Sequence, residues 1–389
     1  MKNIIVVGAG FSGAVLARKI AEELDLPVKV IEKRNHIAGN MYDETDENGI
    51  LLQKYGPHIV CTDKYSVIEY LSKYSDFFKH TVKLLSLIDG NYVRLPFNFE
   101  TVQQLVGEKK SQNLIAKLRK EYNGRDRVPA MEIMNNPDSD ISDYGTLLFD
   151  KAYKTYCAKQ WDIPVETIDK SIMDRVPVAM NYDERYMNKD FQYLPEKGFT
   201  KLFENLLDHE NISIETNTDA AAHISFLDGE VFYDGARADA LVFTGAVDEL
   251  FGLKYGALPY RSLDIRYTTH DAEEVLPEAI VSYPQADGYT RETEYKRLMP
   301  KGKNIPVSVI ATEYPVAYDK NGEVGNTPYY PVITEQSLAS YAKYLEESKL
   351  YKNIFLCGRL AEFRYYNMDD CILHAFDVFE EIKKYFSQR

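Results

Sequence analysis

The hydrophobic pattern at the amino terminus predicts a β-α-β unit. Residues 4–7 form a short β-branched run, which is typical of a strand buried on both faces of a parallel sheet. A glycine-containing turn follows, and then a segment rich in Ala, Leu, Arg, Lys and Glu that extends to Leu24 and is typical of a helix. A second apolar run, residues 28–31, ends at Glu32. The order is therefore strand, turn, helix, strand and acidic residue.

The turn between the first strand and the helix predicts dinucleotide binding. Residues 8–13 have the sequence GAGFSG, in which Gly8 permits a tight turn and Gly10 lets the backbone approach a pyrophosphate. Gly13 allows close packing of the helix, whose amino terminus supplies amide donors and a favourable dipole. Glu32 follows at roughly the ~20-residue spacing at which an acidic residue accepts hydrogen bonds from a ribose.

Two further segments bear on the choice between NAD and FAD, which this motif leaves open. Residues 34–40 form a second small, polar turn, and residues 354–357 form another strand of the buried type before Gly358 and Arg359. This late strand predicts that the carboxyl terminus folds back onto the first unit. An FAD bound in an extended form would then contact the first unit and the carboxyl-terminal segment. The chain has no second strand–GxGxxG–helix unit. A dedicated nicotinamide domain is therefore not expected.

The middle of the chain changes from helical to strand patterns. Residues 65–170 are rich in apolar positions at helical spacing, and the polar, proline-containing stretch 123–143 predicts a loop. Asp228-Gly229 separates two alternating runs and predicts a β-hairpin. Further strands are predicted at 240–244, 262–268, 279–283 and 307–311, a loop at 319–327 and a helix at 335–343.

These patterns predict an α/β fold in which a Rossmann-like FAD-binding domain is built from separated segments and carries two inserts. We assign residues 1–78, 197–252 and 345–389 to the FAD-binding domain. Residues 79–170 are expected to form a helical domain, with a mobile substrate loop following it. Residues 171–196 and 253–344 are expected to form an antiparallel-sheet substrate domain.

Composition narrows the classes of partner. The chain of 389 residues has 46 Lys and Arg against 60 Asp and Glu, a net charge of −14, which argues against nucleic acid and anionic membrane surfaces as partners. No stretch approaches the ~18 apolar residues of a membrane span, so no membrane insertion is expected. The four cysteines lack a CxxC pair and the seven histidines lack HxxxH or HExxH spacing. We therefore expect a cytoplasmic protein without a metal site.

Tyrosine is the unusual component of the composition. The chain has 30 Tyr against 18 Phe and a single Trp. These phenols either belong to the core with one solvated end or line a polar, uncharged pocket. The cluster of rings in residues 153–161 has the same two interpretations: an aromatic core seam, or a surface on which a base stacks.

In combination, the motifs resemble bacterial UDP-galactopyranose mutases over nearly the whole chain. They include the glycine turn and the run Tyr55-Gly56-Pro57-His58-Ile59. The full set of matching segments comprises residues 8–13, 55–59, 95–98, 159–161, 175–178, 181–186, 198–202, 260–263, 289–294, 313–315, 328–331, 358–360 and 365–369. So many short motifs in the right order make this resemblance highly specific.

The resemblance implies an unusual use of FAD, which is active when reduced. In the family, the N5 nitrogen of reduced flavin attacks the anomeric carbon of a nucleotide-linked sugar and expels the nucleotide diphosphate. The sugar ring opens, recloses on a different hydroxyl, and is released as the furanose without net redox change. The implied reaction converts UDP-galactopyranose to UDP-galactofuranose for cell-surface polysaccharide biosynthesis. NADH or NADPH as external electron donor and a homodimer are also implied.

The resemblance also implies roles for individual residues. Arg175 and Arg291, with guanidinium forks suited to phosphate oxygens, and His58, beside the flavin ring, match catalytic positions. The remaining expected substrate contacts are Tyr153 and Tyr156 at the uracil, Trp161 at the pocket edge, Tyr186, Tyr330 and Tyr365 at the phosphates, and Asn98, Cys61 and Ser282. The expected cofactor contacts are Gly8, Gly10, Phe11, Ser12, Gly13, Glu32, Lys33, Gly39, Asn40, His58, Gly358, Arg359 and Met368. Residues 161–186 correspond to a mobile loop that closes over substrate.

Several positions depart from the family pattern and leave the substrate open. Cys61 replaces a usual His, Tyr193 a usual Gly and Ser282 a usual Asn, and Cys157-Ala158 replaces a usual Thr and basic residue. The alternatives with the same chemistry are UDP-N-acetylgalactosamine and a dTDP-6-deoxyhexose such as dTDP-fucose. The alternatives of a different class are an FAD-dependent oxidase or monooxygenase and a nucleotide-sugar-binding protein without turnover.

Overall fold

The computed structural model describes residues 2–162, 176–300 and 305–388. In chain order, the strands are β1 (Ile4–Val7), β2 (Val28–Ile31), β3 (Asp43–Thr45), β4 (Leu51–Gln53), β5 (Val60–Thr62), β6 (Phe77–Lys79), β7 (Leu84–Ile88), β8 (Asn91–Leu95), β9 (Arg127–Val128), β10 (Val178–Ala179), β11 (Phe191–Pro195), β12 (Ile212–Glu215), β13 (Ile224–Leu227), β14 (Glu230–Tyr233), β15 (Ala236–Arg237), β16 (Ala240–Phe243), β17 (Tyr260–His270), β18 (Ile280–Ser282), β19 (Arg291–Glu294), β20 (Ser308–Ala317), β21 (Tyr330–Pro331) and β22 (Ile354–Leu356).

The helices are α1 (Phe11–Glu23), α2 (Tyr65–Leu71), α3 (Phe99–Val106), α4 (Glu108–Glu121), α5 (Ala130–Met134), α6 (Ser139–Leu148), α7 (Lys154–Trp161), α8 (Phe199–Leu207), α9 (Val247–Leu250), α10 (Glu335–Ser348) and α11 (Met368–Ser387). Single 3₁₀ turns are formed by Gly39–Met41, Ala220–Ala222 and Tyr295–Leu298. A π-helical turn, Phe149–Tyr153, joins α6 to α7. No helix among the described residues combines the length and apolar composition that crossing a membrane requires.

A five-stranded parallel sheet in the order β12-β2-β1-β16-β22 forms the centre of the nucleotide-binding fold. The strand before Gly358 pairs with β16, so the carboxyl terminus folds back onto the first unit as the sequence predicts. Helix α1 packs between this sheet and helices α8 and α11. Because all five strands run the same way, the residues that follow β1, β2, β16 and β22 meet at one edge of the sheet. The predicted fold class is confirmed.

A seven-stranded sheet in the order β21-β17-β20-β19-β18-β7-β8 forms the second layer. Every pairing in it is antiparallel except that of β18 with β7, and the strands predicted near 262–268, 279–283 and 307–311 all belong to it. Strands β7 and β8 lie within residues 79–170, which we expected to be helical. Their turn, Asp89-Gly90, has positive φ at both residues (50° and 78°) and is the same hairpin signal as Asp228-Gly229.

The helical region includes residues that the sequence pattern predicts to be a loop. Residues 123–143, expected to be a loop, contain β9, α5 and the start of α6. The polar residue Asp138 is the N-cap of α6, and its carboxylate accepts hydrogen bonds from the backbone N–H groups of Asp140 and Ile141. The apolar residues Ile133 and Ile141 pack into the same core as Trp161. The prediction of a loop was wrong because capping residues and loop residues have the same composition.

Asp43 ties the hairpin of β3 and β4 to helix α8, far along the chain. Its carboxylate accepts hydrogen bonds from the backbone N–H groups of Phe199 (2.6 Å) and Thr200 (2.9 Å), which are otherwise unpaired at the first turn of α8. The Thr200 hydroxyl donates to the Asp43 carbonyl at 2.7 Å. Asp43 thus acts as an N-cap supplied from another element.

We expect Asp43→Asn to lower the free energy of unfolding by about 1 kcal/mol, because one of the two acceptor oxygens at the helix terminus becomes an amide donor. Urea unfolding monitored by circular dichroism measures this change. Asp208→Asn, at the exposed carboxyl end of the same helix, is the control and should leave stability unchanged. Equal stability of the Asp43 variant and the wild type would contradict the capping role.

Candidate functional site

One of two neighbouring cavities opens at the carboxyl edge of the parallel sheet, and we call it the sheet-edge cavity. Its walls come from segments that are distant in sequence but follow adjacent parallel strands. The lining residues include Val7, Gly8, Gly10, Phe11, Ser12, Glu32, Lys33, Arg34, Gly39, Asn40, Tyr55, His58, Thr218, Asp219, Thr244, Glu249, Tyr318, Lys320, Tyr329, Gly358, Arg359, Met368 and Cys371. Every expected cofactor residue except Gly13 is in this lining.

Gly8, Gly13 and Gly39 have no room for a side chain. Gly8 has φ of +98°, and a Cβ there would lie 2.1 Å from the Thr244 hydroxyl. A Cβ on Gly39 would lie 2.8 Å from the Gly10 Cα, so the two small turns touch. Gly13 lies beneath the cavity, where a Cβ would be 1.9 Å from the Gly8 carbonyl oxygen. The turn is therefore a bare backbone cradle at the amino terminus of α1, which fits a pyrophosphate.

Glu32 is nearly buried and holds this cradle in place. Its carboxylate accepts hydrogen bonds from the backbone N–H groups of Ala9 (2.9 Å) and Arg34 (3.0 Å). The Arg34 side chain lies against the Tyr55 ring at 4.8 Å and donates to the Asn40 side chain at 3.1 Å. Arg34 and Tyr55 both line the cavity, and the sequence analysis gave neither of them a role there.

The second cavity, which we call the tyrosine pocket, lies between helix α7 and the seven-stranded sheet. Most expected substrate residues line it: Tyr153, Tyr156, Trp161, Tyr186, Ser282, Arg291, Tyr330 and Tyr365. Other lining residues include Leu84, Ser86, Leu95, Phe97, Cys157, Gln160, Pro284 and Glu313. The pocket thus combines phenol rings with one ion pair and two serines.

The ion pair joins Arg291 to Glu313 on the neighbouring strand. The Arg291 Nε and Nη2 atoms donate to the two carboxylate oxygens of Glu313 at 2.9 and 2.7 Å. Burial opposes the charge of Arg291, but the Glu313 carboxylate more than offsets it, and the pKa of the guanidinium is raised. Residues 291 and 313 are opposite one another in the β19–β20 register. The bidentate pair fixes the plane of the guanidinium and leaves Nη1 outside the fork.

Arg359 stands between the two cavities. Its guanidinium lies 5.1 Å from the ring centre of Tyr330 and 5.0 Å from that of Tyr365. These two rings are stacked, with centres 5.7 Å apart and planes at 12°. Arg359 also donates hydrogen bonds to the backbone carbonyls of Tyr329 and Tyr366. The sheet-edge cavity and the tyrosine pocket therefore meet at one immobilised cation.

His58 is uncharged at this junction. Burial, followed by the charges of Arg359 and Arg291, lowers the pKa of His58 to about 3. Its Nδ1 atom lies 2.8 Å from the Gly56 carbonyl oxygen, which can only accept, so Nδ1 carries the hydrogen. Nε2 remains as an acceptor. His58 is thus a neutral polar group on the wall of the sheet-edge cavity.

Ser86 and Ser282 form a polar patch in the tyrosine pocket. They lie side by side in the parallel register of β7 and β18, and both residues are almost fully buried. Neither hydroxyl makes a hydrogen bond to another described residue, although both residues line the pocket. Two hydroxyls that line the pocket beside aromatic rings suit the polar edge of a planar ligand.

The structure does not place three expected residues at the site. Arg175, with half of the expected mobile loop, lies outside the described residues. Asn98 lines neither cavity, because its side chain caps α3, accepting from Thr101 N–H at 3.1 Å, and donates to the Asp183 carbonyl at 3.2 Å. Cys61 also lines neither cavity. Burial and nearby Asp369 raise the pKa of the Cys61 thiol to about 12.

Other residues of the site were missed by the sequence analysis. Glu313 begins the matching segment of residues 313–315, but that segment does not indicate a role for it. The register of β19 and β20 places its carboxylate beside Arg291. Ser86 belongs to strand β7, in a segment expected to be helical. The Asp89-Gly90 turn was the available signal for that strand.

One group of side chains outside the pockets has donor types that metals use. Cys357, Glu362 and His374 each bring one donor atom within 4.8 Å of the others. The Glu362 carboxylate already accepts from the Gly358 N–H at 2.7 Å and pairs with His374 at 2.9 Å. Since these polar groups satisfy one another, we assign no metal to the cluster.

Comparison with known proteins gives consistent matches over the whole chain. The family model described as UDP-galactopyranose mutase matches residues 151–365, and that of an NAD(P)-binding Rossmann-like domain matches residues 6–74. A probable UDP-galactopyranose mutase from Klebsiella pneumoniae is 34% identical, with 98% of this chain and 94% of the relative covered. A dTDP-fucopyranose mutase from Escherichia coli is also 34% identical, with 97% of each chain covered. The UDP-galactopyranose mutase of Mycoplasma pneumoniae is 30% identical, with 98% and 96% covered.

Solved structures share the fold at lower identity. A crystal structure of reduced UDP-galactopyranose mutase superimposes with a TM-score of 0.71 at 15% identity, covering 99% of this chain and 94% of that one. A putative protoporphyrinogen oxidase from Exiguobacterium superimposes with a TM-score of 0.68 at 15% identity, covering 98% and 99%. The fold is thus shared by mutases and oxidases, whereas the sequence relatives named above are all pyranose mutases. Since the family model covers more than half of the chain and relatives at 30–34% identity cover nearly all of it, this chain belongs to the UDP-galactopyranose mutase family of isomerases.

Proposed function

We propose that this protein is an FAD-dependent mutase that interconverts UDP-galactopyranose and UDP-galactofuranose. The observation that carries the proposal is the junction at Arg359, where the sheet-edge cavity meets a pocket that contains the Arg291–Glu313 ion pair and stacked tyrosines. A flavin ring bound at the end of one cavity would face a nucleotide sugar bound in the other.

The sheet-edge cavity fits FAD. The bare glycine cradle suits its pyrophosphate, and Glu32 lines the wall where a ribose would lie. Arg359 and Met368 line the wall contributed by the returning carboxyl terminus. When reduced FAD is held by these residues, it would supply a nucleophilic nitrogen, N5, for displacement of the nucleotide diphosphate from the anomeric carbon.

Arg291 is proposed to hold the diphosphate before and after it leaves the sugar. Its fork toward Glu313 fixes the guanidinium, and the N–H donors outside the fork can bind a phosphate oxygen. Tyr186, Tyr330 and Tyr365 line the same pocket and would donate phenolic hydrogens without adding charge. Holding the leaving group close favours its return over loss to solvent. Arg175 is proposed as the second cation.

The other end of the pocket is proposed to take the base. Tyr156 lies in the lining with the buried Tyr153, whose hydroxyl donates to the Val176 carbonyl. The neighbouring hydroxyls of Ser86 and Ser282 can each donate to a carbonyl or accept from the N3–H of uracil. Because thymine has the same imide edge, this patch also suits a dTDP-linked sugar.

Neutral His58 is proposed to sit beside the flavin ring as a hydrogen-bond acceptor. With a pKa of about 3 it carries no proton on Nε2 near neutral pH. It therefore adds no positive charge next to Arg359 and Arg291 and does not act as a general acid there.

The proposal includes an external electron donor, NADH or NADPH, and a homodimer, both supported by family membership. A cytoplasmic location is also included, supported by four scattered cysteines that lack a CxxC pair. Light scattering of the purified protein measures the assembly. Anaerobic bleaching of the flavin by each nicotinamide identifies the donor.

Turnover of defined nucleotide sugars tests the function. We expect dithionite-reduced protein to convert UDP-galactofuranose to the pyranose, as measured by anion-exchange chromatography. Because the relatives include a dTDP-fucopyranose mutase, dTDP-fucofuranose and UDP-N-acetylgalactofuranosamine are compared in parallel. Faster turnover of either compound would identify it as the preferred substrate and leave the proposed mutase chemistry unchanged. Oxidation of an amine without turnover of any nucleotide sugar would contradict the proposal and favour an oxidase.

We expect Arg291→Ala to lower turnover by roughly 100-fold or more while FAD remains bound, because a cation at the diphosphate is lost. Arg297→Ala is the matched control, since Arg297 pairs with buried Glu294 at 3.0 Å on the same part of the sheet but lines neither cavity. The control should lose stability and keep turnover per folded molecule. Equal turnover of the two variants would show that Arg291 has no role at the diphosphate.

Ser282→Ala is expected to weaken UDP binding about fivefold, which corresponds to one neutral hydrogen bond of about 1 kcal/mol. Isothermal titration calorimetry of wild type and variant with UDP and dTDP measures the change. Ser111→Ala, a buried serine of α4 whose hydroxyl bonds to the Glu108 carbonyl, should leave both affinities unchanged. An unchanged UDP affinity in Ser282→Ala would place the base elsewhere.

A further inference from the structure

A single ammonium group joins two walls of the tyrosine pocket. Lys159 lies in helix α7, and its Nζ atom donates hydrogen bonds to the backbone carbonyls of Tyr283 (2.7 Å), Ala286 (2.8 Å) and Tyr289 (2.8 Å). These carbonyls belong to the loop of residues 283–290, which connects β18 to β19. A lysine ammonium has three hydrogens, so all of its donors are directed into this loop.

The three bonds compensate for an unfavourable location of the charge. Burial lowers the pKa of Lys159 to about 8, although the charge of Asp287 in the loop opposes the shift. Three converging carbonyl dipoles replace the water that the ammonium has lost. No carboxylate lies within ion-pair distance of this ammonium among the described residues. The cation is therefore held by backbone alone, and its position sets that of the loop.

Both ends of the loop carry residues of the pocket. Ser282 and Pro284 lie at its start, and Arg291 follows its end. The helix that carries Lys159 supplies the facing wall through Tyr156 and Trp161. The distance between the aromatic wall and the Ser282–Arg291 wall is thus bridged by one side chain.

A second cation fixes the end of the same helix. Arg261 of β17 donates to the Gln160 carbonyl at 2.9 Å and to the Lys159 carbonyl at 3.3 Å. These are carbonyls of the last turn of α7, which have no partner within the helix. Helix α7 is therefore anchored to the sheet, and the Lys159 side chain extends from a fixed base to the loop.

We propose that Lys159 is a positioning residue for nucleotide binding, which sets the spacing between Tyr156 on α7 and Arg291 at the end of the loop. The inference rests on the proposed function, because it assumes that the base and diphosphate bind between these walls. Without the ammonium, three loop carbonyls lose their shared donor, and the loop relaxes away from α7. The base and the diphosphate then no longer meet both walls at once.

The test compares Lys159→Met with Lys296→Met. Lys296 is a matched control because, among the described residues, its ammonium also bonds to backbone carbonyls alone, those of Ile305 (2.7 Å) and Val307 (3.2 Å). Lys296 lines neither cavity. Both variants lose a carbonyl-bound ammonium and should show similar falls in melting temperature. Only Lys159→Met should weaken UDP binding, by about tenfold, with flavin content per folded molecule unchanged.

Calorimetric titration of the FAD-loaded proteins with UDP gives the affinities, and steady-state kinetics with UDP-galactofuranose should show a raised KM in Lys159→Met. Lys159→Gln, which keeps two donors, serves if the methionine variant does not fold, and its UDP affinity should be intermediate. Wild-type affinity in a folded Lys159 variant, or an equal loss of affinity in Lys296→Met, would overturn the inference alone. Failure of the wild type to bind UDP or dTDP would instead overturn the proposed function together with it.

Discussion

The return of the carboxyl terminus to the central sheet is the constraint on which the site depends. Pairing of β22 with β16 brings Gly358 and Arg359 to the edge where the glycine turn ends β1. Arg359 is then held by two backbone carbonyls and two stacked rings, Tyr330 and Tyr365. Tyr330 belongs to β21 in the second layer of the molecule, whereas Tyr365 follows β22 in the returning segment. One strand pairing thus brings the sheet-edge cavity and the tyrosine pocket together at Arg359.

In this acidic chain, a few fixed cations set the local charge near the two cavities. The net charge of −14 disfavours polyanions, yet a diphosphate needs only a few fixed cations. Arg291 is fixed by a carboxylate, whereas Arg359 and Lys159 are fixed by backbone carbonyls. Carbonyl partners hold a cation without cancelling its charge. The tyrosines complement this arrangement, because phenols donate hydrogen bonds to phosphate oxygens and stay neutral. A small subset of the 30 tyrosines lines the pocket, and many of the others fill the core.

Local signals predicted the parts of the fold that depend on neighbouring residues. The glycine turn, the acidic residue after β2 and the hairpin at Asp228-Gly229 follow from short-range sterics and hydrogen bonding. The predictions for residues 79–95 and 123–143 failed for a different reason. Strand β7 is apolar except for Ser86 and has no regular alternation, and Asp138 before α6 is a cap. Neither pattern distinguishes helix, strand and loop until the partner element is known.

The sequence by itself determined the glycine turn of the sheet-edge cavity and the family membership, because both depend on contiguous motifs whose spacing fixes backbone geometry. Most of the site residues that the sequence named also line the two cavities. Only the tertiary structure decided that Glu313 orients Arg291, that Ser86 lies beside Ser282 and that Lys159 spans the pocket walls. It also assigned Asn98 to a helix cap. The physical reason is strand register: a shift of one residue between β19 and β20 would separate Arg291 from its carboxylate and change the charge of the pocket.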